Sequence, residues 1–189
     1  MRIETRVLTP NLWADLERLF GANGACGGCW CMSWRQQRGE KWEAVKGAEA
    51  KRRLKVLVGA DAAHGVLAYV EGEPVGWCAF GRRVDFAKLD RAPSLACKDA
   101  DRVWSLPCFF VKRTHRGQGV AAALLRATLT ALRGRGAEIA EGYPAKSYSK
   151  GKPIPAAFAW TGTRSLFEAA GFRVVGNRSG GKQRVRKEL

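Results

Sequence analysis

Two glycines and the charges around them carry the clearest chemistry in this chain of 189 residues. Gly117 and Gly119 straddle Gln118, and Lys112, Arg113, His115 and Arg116 lie just before or beside them. Residues 108–111 form a compact run of apolar and aromatic side chains, which predicts a buried strand. Residues 120–133 are rich in Ala and Leu, carry apolar side chains at helical spacing and end in Arg, which predicts a helix. Glycines at such a junction let the backbone turn tightly and let a ligand approach its amides. The first amides of a helix have no internal acceptor, and the helix dipole adds partial positive charge there. Strand, glycine loop and helix start together make an anion site, most naturally for phosphate. The same pattern also suits a tight connection that binds nothing.

A second group with chemical potential is Cys26-Gly-Gly-Cys29-Trp-Cys31. Thiolates at this spacing could hold zinc or take part in redox chemistry. There is no second Cys-x-x-Cys pair, and the only histidines are His64 and His115, so no fourth ligand is evident. Cysteine also packs well as a small core residue, so a buried or pocket-lining loop is the competing reading.

The elements that must position these groups can be read in order. Residues 10–20 form an amphipathic helix, with Thr9 as cap, Gly21 as stop and Leu12, Leu16, Leu19 and Phe20 facing the core. Residues 40–58 read as one charged helix with Trp42, Val45, Leu54 and Val58 as its apolar positions. Residues 65–70 and 75–80 are strands of a hairpin around Glu71-Gly72-Glu73-Pro74. Residues 82–101 read as a polar connection, a surface loop with room for a short helical turn. A strand over 137–143 follows the central helix, then a long Pro-, Lys-, Ser- and Gly-rich loop over 143–156. The last helix starts after Thr161-Gly162, capped by Thr161 or Thr163, and stops at Gly171. A strand over 172–175 and a basic strand over 182–187 that pairs back close the chain.

Composition bounds the answer. Hydrophobic residues are 46% and charged residues 26%, as in a globular domain, and the length suits a single one. No apolar run reaches membrane-spanning length. The first residues lack the apolar core of a signal peptide, so the cytoplasm is the expected compartment and the six cysteines are expected as reduced thiols or metal ligands rather than disulfides. With 33 basic and 17 acidic residues the formal charge is +16. Such a field attracts anions. Nucleic acid is one candidate partner, although no nucleic-acid motif accompanies the charge. A small phosphorylated cofactor is another, and a merely solvated basic surface is the third.

Arg116-Gly117-Gln118-Gly119-Val120-Ala121 fits the Arg/Gln-x-x-Gly-x-Gly/Ala signature of the GNAT N-acetyltransferase superfamily. Phe109-Phe110-Val111-Lys112-Arg113-Thr114-His115 resembles that family's fourth strand and the approach to its pyrophosphate loop. Residues 165–172, Ser-Leu-Phe-Glu-Ala-Ala-Gly-Phe, resemble the family's Leu-Tyr-Glu-x-x-Gly-Phe ending. The resemblance covers roughly residues 65–175; the first sixty or so have no comparably specific signature.

The resemblance implies an α/β (α+β) fold: a mixed, mostly antiparallel sheet of six or seven strands flanked by helices, with splayed fourth and fifth strands. It implies acetyl-CoA as cosubstrate and transfer of the acetyl group to a primary amine of a small molecule or peptide. It places the pyrophosphate on Arg116, Gly117, Gln118, Gly119, Val120 and Ala121, and the pantetheine along Phe109, Phe110 and Val111. One amide of that strand would polarise the thioester carbonyl. By position, Trp30, Met32 and Trp34 are candidates for the acceptor pocket wall. Glu141 and Glu138 on the fifth strand are the candidate bases, with Asp85 and Asp101 behind them.

The family's tyrosine acid is replaced by Phe167, which has no hydroxyl, and Trp160 falls near the place of a common asparagine. Tyr143, Tyr148, Ser147 or water are left to protonate the thiolate. No metal is expected beyond the zinc option at Cys26, Cys29 and Cys31. A homodimer and a GNAT-fold binding module for nucleic acid stay open as alternatives.

Overall fold

A computed structural model describes residues 1–145, 148–149, 152–153, 158–176 and 183–189. The chain opens with a short strand, β1 (Glu4–Val7), a tight turn at Pro10–Leu12 and helix α1 (Trp13–Phe20). Helices α2 (Trp42–Val45) and α3 (Ala48–Gly59) lead to the hairpin of β2 (His64–Val70) and β3 (Glu73–Arg82). Then come β4 (Val103–Val111), helix α4 (Val120–Gly134) and β5 (Ile139–Gly142). Two short paired strands, β6 (Tyr148–Ser149) and β7 (Lys152–Pro153), precede helix α5 (Arg164–Ala169), β8 (Arg173–Val175) and β9 (Arg184–Glu188).

Among the described residues seven strands make one sheet in the order β1-β2-β3-β4-β5-β9-β8. Its neighbours pair antiparallel except β4 and β5, which run parallel. The central strands are apolar on both faces because both faces are covered. On one face Val66, Ala68, Cys78, Leu106 and Phe109 pack with Leu124, Leu125 and Leu129 of α4 and with Phe167 of α5. On the other, Leu67, Trp77 and Cys108 pack with Trp13, Leu16 and Phe20 of α1 and with Leu54 and Val58 of α3. Burying side chains of this size contributes roughly 1.5–3 kcal/mol each against conformational entropy. Among the described residues no helix is long and apolar enough to cross a membrane.

Three expectations are corrected. Residues 40–58 are two helices rather than one. The chain leaves the helical path at Lys46 and Gly47, which has φ +73°, and the Gly47 amide donates to the Gly28 carbonyl at 2.8 Å. The cysteine-containing loop docks at this break, a contact with no local sequence signal. Residues 82–101 are not a surface loop. Phe86, Leu89 and Leu95 are buried with Trp34 and Tyr143 in a third apolar cluster, and Arg83 is fully buried. Thr9 makes no side-chain cap. Thr163 rather than Thr161 caps α5, accepting from the Leu166 amide at 3.2 Å.

Burial at the head of β2 has a consequence for pH. The His64 ring stacks on Phe80 with centroids 5.5 Å apart and lies 6.0 Å from Trp104. Burial holds its pKa below the usual histidine value, and this outweighs the opposing pull of Asp61. The folded state therefore prefers the neutral ring. The stability this contributes is present above pH about 6.5 and is lost as pH falls through the lowered folded-state value. Melting temperatures taken between about pH 7.5 and 5 should fall more steeply for the native chain than for His64→Leu; parallel curves would show that His64 does not contribute.

Candidate functional site

β4 and β5 pair from Val103–Ile139 to Leu106–Gly142 and then separate. Beyond Leu106, β4 continues to Val111 without pairing to β5. The phase of the β3–β4 ladder decides which of its groups face the gap. Bonded and non-bonded positions alternate in an antiparallel pair. The Lys112 amide donates to the Val75 carbonyl at 2.9 Å, in register with the Gly76–Val111 and Cys78–Phe109 pairs. Cys108 and Phe110 therefore bond to β3, whereas the backbones of Phe109 and Val111 turn toward the gap.

The gap ends beside the start of α4. Gly119 caps this helix in the left-handed region at φ +83°, and no atom lies within 4 Å of where its Cβ would be. Any other residue would be strained there, and any side chain would project into that open space. The amides of Val120, Ala121 and Ala122 belong to the first turn, which has no preceding turn to accept from them; the bond from the Ala123 amide to the Gly119 carbonyl, at 3.0 Å, closes that turn. Arg116 is exposed and reaches back, its Nε donating to the Val111 carbonyl at 3.1 Å. Gln118 ties the loop by donating to the Thr114 carbonyl at 2.9 Å. Arg113 is exposed nearby. Uncovered amides, a helix dipole and these cations form an anion site adjoining the strand edge that β5 has left.

The two candidate glutamates are committed elsewhere, and only Glu141 lies on β5. Glu138 is exposed just before the strand begins and pairs with Arg102 at 2.5 Å. Glu141 is fully buried among three guanidinium groups. Its Oε2 accepts from Arg186 Nε at 2.6 Å and Arg184 Nη1 at 3.1 Å, and Arg83 Nε lies 3.6 Å from its Oε1. Arg186 also makes two 2.8 Å bonds to Asp99, which hold that carboxyl down at about 2. A carboxylate clamped in this way is poorly placed to take a proton from an incoming amine.

Tyr143 is also fully buried, with its hydroxyl 2.5 Å from Ser105 Oγ. Burial, reinforced by Glu141, raises its pKa well above the usual value, which makes it a reluctant acid. Phe167 is buried against Phe109 and Phe172. Ser147 lies outside the described residues, and of Tyr148 only the backbone is described. Asp101 is exposed at the start of β4, and Asp85 lies near the half-buried Arg35.

The three aromatic-loop candidates differ in place. Trp30 is core: it packs on Trp13 and Phe20 with centroids 6.0 and 5.2 Å apart. Met32 is buried in the same cluster. Trp34 reaches the gap. Its Nε1 donates to the Pro107 carbonyl of β4 at 3.0 Å, and its ring lies 6.2 Å from Tyr143 and 5.7 Å from Trp160.

The cysteines do not converge on a metal geometry. Cys26 is exposed, and Cys31 is buried where it accepts from Trp77 Nε1 at 3.1 Å. Among the described residues no group of three or more His, Cys, Asp or Glu could hold a metal ion. Cys31 is held below the usual thiol pKa by a hydrogen bond from Cys108 and then the Trp77 indole, while Cys108 is pushed well up.

Reasoning from sequence did not find the arginine cluster. Arg83 lies far in the chain from Arg184 and Arg186, and only the Arg-x-Arg alternation in β9 hinted that the latter two share a face. It also did not find what the Trp160 backbone does: its carbonyl accepts from the Phe109 amide at 2.6 Å.

Comparison with known proteins bears on this geometry. The model of the acetyltransferase (GNAT) family matches residues 30–143. No curated protein sequence matches the chain. Solved structures share the fold at low identity. A phosphinothricin acetyltransferase of Sinorhizobium meliloti, solved with AcCoA, is 15% identical with a TM-score of 0.58, covering 100% of this chain and 89% of that one. The PaiA N-acetyltransferase of Thermoplasma acidophilum, solved with coenzyme A, is 13% identical with a TM-score of 0.55 over 100% of both chains. A ribosomal-protein-alanine N-acetyltransferase of Brucella melitensis is 17% identical with a TM-score of 0.55, covering 98% and 99%.

Proposed function

The chain belongs to the acetyltransferase (GNAT) family, and on that premise we propose that it moves an acetyl group from acetyl-CoA to a primary amine of a small molecule or peptide in the cytoplasm. The observation that carries this reading is the gap between β4 and β5 opening beside the uncovered start of α4. A diphosphate fits the amides of residues 120–122 with Arg116 beside it. A pantetheine arm, which is peptide-like, fits the edge of β4 along Phe109 and Val111. The net charge of +16 steers the anionic coenzyme toward this site.

In the proposed reaction the amine nitrogen attacks the thioester carbonyl carbon in a ternary complex. An amide of β4 that faces the gap stabilises the oxyanion as the C–N bond forms. The C–S bond then breaks and the thiolate leaves, taking a proton from water. Trp34 lines the acceptor side.

Because Glu138 and Glu141 are held by arginines, water rather than a carboxylate takes the proton from the amine. An alkyl ammonium has a pKa near 10, so kcat/KM should keep rising with pH to about 9; a plateau reached by about pH 7 would reveal a dedicated base. The function itself is tested by a screen of amines and peptides for acetyl-CoA-dependent release of free thiol. Acceptor-dependent release supports the reading. Binding of acetyl-CoA without release to any acceptor would reduce it to a coenzyme-binding module.

A further inference from the structure

The edge of β4 that this reading assigns to the coenzyme is already engaged by the protein. Pro107 has no amide, and its carbonyl accepts from Trp34 Nε1. The Phe109 amide donates to the Trp160 carbonyl, and the Val111 carbonyl accepts from Arg116. The bond at Phe109 is the one with mechanistic weight, because an amide already donating at 2.6 Å is not free to polarise a thioester carbonyl.

The segment that supplies this carbonyl has the features of a strap. The Gly162 amide donates to the Ala159 carbonyl at 2.8 Å, closing a tight turn, and the Gly162 carbonyl accepts from the Ala145 amide, also at 2.8 Å. Ala145 and Thr163 form an isolated parallel bridge just past the point where β5 leaves β4. Residues 160–162 thus span the gap. The Trp160 ring, about one-third exposed, rests on Trp34, while Thr161 is buried. Gly162 sits at φ +82° with its missing Cβ against Phe167, so it ends the strap at a fixed point and leads directly into the capped start of α5.

We propose that residues 159–162 form a self-inhibitory strap: the Trp160 carbonyl occupies the Phe109 amide in the free protein, and coenzyme binding exchanges it for the thioester carbonyl. The inference rests on the acetyl-CoA reading of the same gap. It leaves the Phe109 amide unable to polarise a thioester until the pantetheine arm has displaced the strap. Coenzyme affinity is then reduced by the fraction of molecules in which the strap is closed.

The test uses the full chain labelled with nitrogen-15 and carbon-13, observed by NMR with and without acetyl-CoA. A through-hydrogen-bond coupling between the Phe109 amide nitrogen and the Trp160 carbonyl carbon is expected in the free protein and should vanish at saturating coenzyme. Trp160→Ala, which removes the ring contact with Trp34, should tighten coenzyme A binding roughly threefold to tenfold, the shift that loss of one aromatic pair gives. A coupling absent from the free protein, or one that persists at saturation, overturns the strap and leaves the acetyl-CoA reading intact. No coenzyme binding by calorimetry, with the native NMR spectrum retained, overturns both.

Discussion

Gly119→Trp is expected to abolish measurable binding of acetyl-CoA while leaving the protein folded. The space beyond the Gly119 Cα position is open, and an indole placed there would cover the amides of residues 120–122. Losing two hydrogen bonds to a charged phosphate removes roughly 3 kcal/mol or more, a weakening on the order of a hundredfold or greater. The left-handed backbone at φ +83° adds a separate cost of about 1–2 kcal/mol to folding for any L-residue. Gly119→Ala carries that same cost without filling the site, so it isolates the steric effect. Calorimetry should show near-native affinity for Gly119→Ala and none for Gly119→Trp. Equal affinity in the two variants would mean that the diphosphate lies elsewhere.

The second large effect is on stability. Glu141→Ala should destabilise the fold by roughly 3–5 kcal/mol, because it leaves the buried Arg83 guanidinium, and Arg184 and Arg186 beside it, without their shared carboxylate. For a chain of this size that corresponds to a fall in melting temperature on the order of 10 °C. Arg102→Ala, which removes the exposed partner of Glu138, should cost less than about 1 kcal/mol. If Glu141 served chiefly as a base, Glu141→Ala would instead melt close to the native temperature and lose turnover.

The parts of the molecule legible in the sequence are those with local signals. The strand–loop–helix of residues 108–134 announces itself through its apolar run, its two glycines and its Ala/Leu helix, and Thr163 and Gly171 mark the ends of α5. Strand β1 was not legible, since its four residues are all exposed at the sheet edge and carry no alternation. The break at Gly47 and the burial of Phe86, Leu89 and Leu95 depend on contacts with Gly28, Trp34 and Tyr143, which lie elsewhere in the chain. Glu141 was legible as a carboxylate on the right strand but not as an ion-pair partner. Its arginines come from the turn just after β3 and from β9, and nothing in their local sequence says that they meet. The Trp160 carbonyl was the least accessible of all, because a backbone acceptor has no residue type.

A crystal structure of the protein with coenzyme A bound bears most directly on the proposed chemistry. The diphosphate is expected within hydrogen-bonding distance of the amides of residues 120–122, with the pantetheine arm along Phe109 and Val111 and the Trp160 carbonyl withdrawn. A coenzyme bound away from the start of α4, with the gap between β4 and β5 still spanned by residues 160–162, would contradict it.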